Sequence, residues 1–294
     1  MAPLPTAHCP LPTAHCPLPT AHCPLPTEPR ILPVPLFDTH AHLDQEDFDE
    51  TRDAVVERAR AAGVDTIIAV GTTLIASRKC VELAAQYPGH VYAAVGLQPN
   101  YVAECGPDDW SEIERLAAAS GVVAIGETGL DRHWDFSPFD LQQDYFDRHM
   151  ALAGRLDLPF IVHMRDCDAD IMEALRAEHR RRGPLKGIMH SFTGDAAMAA
   201  ECVALGLHIS FAGMITYKKS QPLRDCAATI PVDRLLIETD CPYLSPEPVR
   251  GKRPNEPAHL AHTATCIAVA RGVSPQELGR QTTANARELF RIPD

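Results

Sequence analysis

The chain has 294 residues, 45% of them hydrophobic, which is enough to bury one large core and matches the size of a single barrel domain. Its formal net charge is −12, and Glu28 and Arg30 cancel within the first 35 residues, so the acidic excess lies in the remainder. That balance argues against tight nonspecific duplex binding, which relies on Lys and Arg neutralising phosphates, unless bound cations supply positive charge locally.

Residues 3–23 are three tandem copies of PLPTAHC, and a fourth begins at Pro24. A seven-residue period could suggest a coiled coil, but two prolines per repeat forbid a helix. Residues 1–35 therefore read as a disordered, partly polyproline II tail. Its His8/Cys9, His15/Cys16 and His22/Cys23 pairs could capture a soft metal adventitiously. The remaining seven of the ten cysteines are scattered without a CxxC and read as reduced, mostly packed thiols.

From Leu36 to residue 294 the chain reads as one domain in which apolar runs alternate with amphipathic stretches. The runs are Leu36–Leu43, Val64–Val70, Val91–Gly96, Val122–Gly126, Pro159–His163, Gly187–His190, His208–Ala212 and Leu235–Thr239. Helical patterns such as Thr51–Ala62, Ile75–Tyr87 and Phe139–Leu156 separate them. Ser111-x-x-Glu114 and Ser274-Pro275-x-Glu277 predict capping boxes, and Ser137-Pro138 an N-cap followed by proline. Strands apolar on both faces and separated by helices imply a covered parallel sheet. Eight such units predict a (β/α)8 TIM barrel, with a doubly wound open sheet as the competitor.

Chemistry on a TIM barrel sits at the C-terminal strand ends. There the first run carries His40 and His42, two apart and hence on one side of a strand. The fourth carries Glu127, the fifth His163, the sixth His190 and the eighth Asp240. Any one of these alone would read as a packed polar residue. Together they amount to two donor sets with room for a bridging carboxylate, which suits two divalent cations. Imidazole-rich ligation favours Zn²⁺ or Mn²⁺, whereas Mg²⁺ prefers oxygen, so the metal's identity stays open. His90 and His208 begin strands and belong at the opposite end. His133, His149, His179, His259 and His262 read as structural or surface residues, with His133 and His259 nearest to the mouth.

The segments FDTHAHLD, VGLQPN, AIGETGLD, FIVHMRD, GIMHSFTG and LLIETDCPYLSP, in this order and spacing from Phe37 to Phe290, resemble the TatD family of metal-dependent deoxyribonucleases. The resemblance implies that His40, His42 and Asp240 hold one metal, that His163 and His190 hold the other, and that Glu127 bridges them. It implies hydrolysis of DNA phosphodiesters, in some members as a 3′-to-5′ exonuclease on single strands. A water activated between the two metals would attack phosphorus, with Asp240 and Glu127 as the catalytic carboxylates.

Arg165, two residues past His163, is a candidate phosphate contact, since guanidinium pairs bidentately with phosphate. Lys252 and Asn255 lie in a basic loop that resembles the family's GK-x-NEP segment and is one residue longer. Gln98 stands where the family usually carries histidine; it cannot shuttle a proton near neutral pH, which puts a phosphate or acid role there in doubt. DNA as a transient substrate is the only partner implied. No apolar stretch reaches the roughly 18–20 uncharged residues that span a bilayer, and no secretory signal is evident, so a cytoplasmic location is expected. A hydrolase of amides, esters or lactones on the same centre is the first alternative, and a non-catalytic binding protein the second.

Overall fold

The computed structural model describes residues 34–293, so the PLPTAHC repeats and the disorder expected of them lie outside the described residues. Eight strands, β1 (Leu36–Ala41), β2 (Val64–Val70), β3 (Val91–Val95), β4 (Val122–Asp131), β5 (Phe160–Arg165), β6 (Gly187–Met189), β7 (His208–Phe211) and β8 (Leu235–Ile237), pair in parallel in chain order. A parallel bridge between Ala41 and Cys241 brings the first strand against the segment that follows the last. A doubly wound sheet would reverse its strand order partway. Here the order never reverses, and the fold is a TIM barrel. Around it lie α1 (Arg52–Ala61), α2 (Leu74–Gln86), α3 (Asp109–Leu116), α4 (Phe139–Leu156), α5 (Asp168–Arg182), α6 (Ala196–Ala204), α7 (Gln221–Thr229), α8 (Leu260–Arg271) and α9 (Pro275–Phe290).

Two apolar layers explain why the strands read as continuously hydrophobic. Phe37, Ile68, Ala94, Ala124, Ile161, Ile188 and Leu236 fill the barrel interior. Their neighbours Leu36, Ile67, Val95, Ile125, Val162 and Ile237 face the helices. Each fully buried Val, Leu, Ile or Phe side chain among them contributes about 1.5–3 kcal/mol relative to exposure. The last helix closes the barrel floor, where Phe290 stacks on Phe37 with ring centroids 5.7 Å apart and an interplanar angle of 8°.

Several local readings need correction. β4 does not stop at Gly126–Glu127 but runs on to Asp131. That extension requires glycine at 129, where φ is +134° and a Cβ would sit 2.0 Å from the His163 carbonyl oxygen. Ser274 does cap α9, accepting from Glu277 N. Ser111 does not cap: α3 has already begun at Asp109, and the hydroxyl donates to the Asp108 carbonyl. Ser137 is diverted by a tertiary contact, accepting from Ala103 N, while α4 starts after Pro138. Val34 and Pro35, read as tail, already pack against the barrel: Val34 touches the core and the Pro35 carbonyl accepts from Thr283 Oγ1. The cysteines among the described residues are free, and no described helix is long and apolar enough to cross a membrane.

Candidate metal centre

Strict alternation places some of the polar strand ends at the mouth without help. In β5, Ile161 faces the interior, so His163 does too; in β6 the same holds for Ile188 and His190. Leu236 in β8 likewise sets Glu238 inward, whereas Asp240 lies past the end of the strand, where φ is +53° and its backbone N donates to the His40 carbonyl. β1 and β4 need an irregularity. From Phe37, alternation would turn Thr39 and Ala41 inward, but the register with β2 shifts between Asp38 and Ala41. Thr39 stays inside, bonded to Ser210, whereas Ala41 joins the outer layer and both His40 and His42 reach the mouth. A second shift between Ile125 and Thr128 brings Glu127 round in the same way. The segment after β8 is stitched to β1 by Asp240 N to His40 O (2.9 Å) and His42 N to Cys241 O (2.8 Å). Asp38 reinforces that seam through Thr239 N and Oγ1.

The six side chains converge around one carboxylate. Glu127 Oε2 lies 3.5 Å from His40 Nε2 and 3.6 Å from His42 Nε2. Its other oxygen, Oε1, lies 2.8 Å from His163 Nδ1 and 3.5 Å from His190 Nε2. Asp240 Oδ1 is 3.4 Å from His42 Nε2 and 3.8 Å from His40 Nε2. The centre is buried, with Glu127 3% exposed. Glu127 thus faces a different imidazole pair with each oxygen.

Three of the four imidazoles have their outward nitrogen committed. His42 Nδ1 meets the Val70 carbonyl, His163 Nε2 meets Asp131 Oδ2, and His190 Nδ1 meets Glu238 Oε1. Donating there leaves the other nitrogen's lone pair directed into the centre, the arrangement that metal-binding histidines require. The donor chemistry therefore fits divalent cations. His40 is the exception, with Nδ1 unpartnered among the described residues.

Electrostatics point the same way. Burial opposes charge on Glu127, yet His190, His163 and His40 hold it well below the usual carboxylate range. Asp240 is likewise lowered against burial, chiefly by His42. Against the same desolvation, Glu238 and Glu127 raise His190 well above its ordinary value, and Asp240 and Glu127 raise His42 to about 9. Burial, with His190 and His42 nearby, lowers His40. Without cations, protons neutralise this carboxylate cluster, so cation binding would release them.

Above the centre lies a cavity of about 610 Å³ whose lining includes Gln98, Tyr101, Trp134, Arg165, Tyr243 and Arg253. Arg165 pairs with no carboxylate among the described residues; its guanidinium carbon sits 5.7 Å from the Trp134 ring centroid. Gln98 lines the cavity while its Oε1 accepts from Asn100 N, holding the turn after β3. Lys252 is exposed and outside the lining, and its neighbour Arg253 takes that place. Asn255 is wholly buried: Nδ2 donates to the Thr239 and Tyr243 carbonyls, and Oδ1 accepts from Glu256 N. It holds the loop behind Asp240. His133 stands at the rim against Asp166, and His259 is spent on Asn255. Sequence reasoning missed Asp131 and Glu238, whose signal is a second acid within four residues of a ligand on the same strand end.

Residues 37–291 match the family model for TatD related DNase. The chain belongs to the TatD family. It is 42% identical over 257 residues to an uncharacterized metal-dependent hydrolase, YabD, of Bacillus subtilis, covering 87% of this chain and 99% of that one. It is 36% identical to a protein of Erwinia billingiae named as the 3′-5′ ssDNA/RNA exonuclease TatD, covering 88% and 100%. The crystal structure of YJJV, a TatD homolog of Escherichia coli K12, superposes with a TM-score of 0.81 at 32% identity, covering 88% and 98%. The protein is thus a TatD-family metal-dependent hydrolase with histidine and carboxylate groups positioned to bind metal.

Proposed function

We propose that the protein hydrolyses phosphodiester bonds near the ends of single-stranded nucleic acid, with two divalent cations at the centre. The observation that carries this reading is Glu127, each of whose oxygens faces a different imidazole pair. His40, His42 and Asp240 would hold one cation, His163 and His190 the other, and Glu127 would lie between them. Such cations supply positive charge that acidifies a water and offsets the charge gathering on phosphate oxygens.

The chain's own residues do the remainder. Asp240 is ionised and has Oδ1 turned to the histidines, which leaves Oδ2 to take the proton of the attacking water. Arg165, free of carboxylates among the described residues, pairs with a phosphate oxygen. The buried floor favours a free strand end, since a phosphodiester in the middle of a duplex cannot descend to it. The similarity to an exonuclease named for single strands supports the same substrate class.

The test combines metal analysis with an activity panel. Purified protein should carry close to two divalent ions per chain, and His163→Ala with His190→Ala should lower that by about one. The metal-loaded enzyme should shorten a labelled single-stranded oligonucleotide and leave simple ester, amide and lactone substrates untouched. Turnover confined to the ester, amide or lactone arm would replace the nuclease reading.

A further inference from the structure

Two large aromatic rings stand in solvent beside the cavity. Trp134 and Phe136 are 43% and 60% exposed, yet their rings lie stacked, with centroids 5.3 Å apart and 8° between planes. Folding gains little from rings left this open, and an exposed apolar patch is the kind that marks a binding surface. The pair is also anchored. Backbone N–H groups of His133 and Trp134 donate to Asp131 Oδ1, while the other oxygen of Asp131 meets His163 Nε2. One carboxylate therefore fixes both the aromatic ledge and a histidine of the metal centre. Trp134 lines the cavity and Phe136 does not, so the ledge leads from the cavity outwards. Arg165 lies where ring and cavity meet.

We infer that Trp134 and Phe136 form a stacking platform for an unpaired base of the strand being cut. This rests on the nucleic-acid reading given above. An aromatic face next to a guanidinium next to a buried centre matches the base, phosphate and scissile bond of one strand. In a duplex a base face is covered by its neighbours in the stack, so the platform selects unpaired ends. Stacking of one base on an aromatic residue strengthens binding by about 5- to 150-fold, without preference among the bases.

The test uses metal-loaded protein and a single-stranded oligonucleotide with phosphorothioate terminal linkages, which binds without being consumed. Binding is followed by quenching of tryptophan fluorescence and by anisotropy of a dye at the far end. Trp134→Ala with Phe136→Ala should weaken affinity within that range, and Trp134→Phe should retain most of it. The same strand with abasic sites at its last positions should bind the wild type as weakly as the intact strand binds the double variant. Combining abasic strand and double variant should bring no further loss. Equal affinity of wild type and double variant, additive losses, or no binding by the wild type would overturn the platform. Hydrolysis of unmodified oligonucleotides is scored separately: wild type that binds and discriminates but never cleaves would sink the nuclease reading and leave the platform standing.

Discussion

At the residue scale, the histidines of the centre are held by carboxylates from outside the set of six. Asp131 fixes the tautomer of His163 from outside, as Glu238 does for His190. Partners of this kind typically contribute 10- to 100-fold in metal affinity or activity. Asp131→Asn keeps an acceptor but removes the charge, and Asp131 is held at about 2 against burial by His163 and Asn100, so it is ionised in the native protein. On the two-cation reading proposed above, the variant should bind one cation about 10- to 100-fold more weakly in a chelator competition, while its circular dichroism stays unchanged. Cation affinity equal to that of the wild type would show that the packing around His163 suffices to orient it.

At the element scale, the barrel begins before its first strand. The Pro35 carbonyl accepts from Thr283 of α9, and Val34 lies against the core near Gly279. Deleting residues 1–33 keeps both contacts, whereas deleting 1–35 removes both. A hydrogen bond is worth about 0.5–1.5 kcal/mol net, and roughly 1 kcal/mol moves the midpoint of a domain of this size class by about 2–4 °C. The longer truncation should therefore melt a few degrees below the shorter one. Coincident melting curves would mean that β1 and α9 hold together without this lead-in.

At the scale of the whole molecule, buried histidines away from the centre make stability fall as the solution is acidified. Burial lowers His149, His208 and His262 to about 4. These groups are neutral in the folded protein, and in the unfolded chain they take up protons near 6.5. Their contribution is present above about 6.5 and is lost as pH falls towards 4. His149 is fully buried, with Nε2 accepting from Leu97 N and Nδ1 donating to the Tyr145 carbonyl, so a second proton would cost the Leu97 bond. His149→Gln should be less stable than the wild type at pH 7, and the gap should narrow steadily between pH 6.5 and 4.5 in urea titrations. A gap independent of pH would show that His149 does not titrate on unfolding.

The barrel and the residue types of its centre were legible in the amino-acid order because both rest on local patterns: eight apolar runs separated by helical stretches, five of them with an abrupt polar residue at the end. Alternation was also enough to orient His163 and His190, which lie on or directly after regular strands, but not Asp240, which lies past the end of β8 at a positive φ. For His40, His42 and Glu127 it was not. The register shifts in β1 and β4 reverse which side chains face inward, and a shift is defined only against the neighbouring strand. The same limit hid Asp131 and Glu238, whose roles appear only once β4 lies beside β5 and the end of β8 beside β6. It also governed the loop after Asp240, where packing buried Asn255 and turned Arg253 rather than Lys252 into the cavity. Residue type and period are properties of the chain itself; register, burial and hydrogen-bond partners belong to pairs of segments and exist only after they meet.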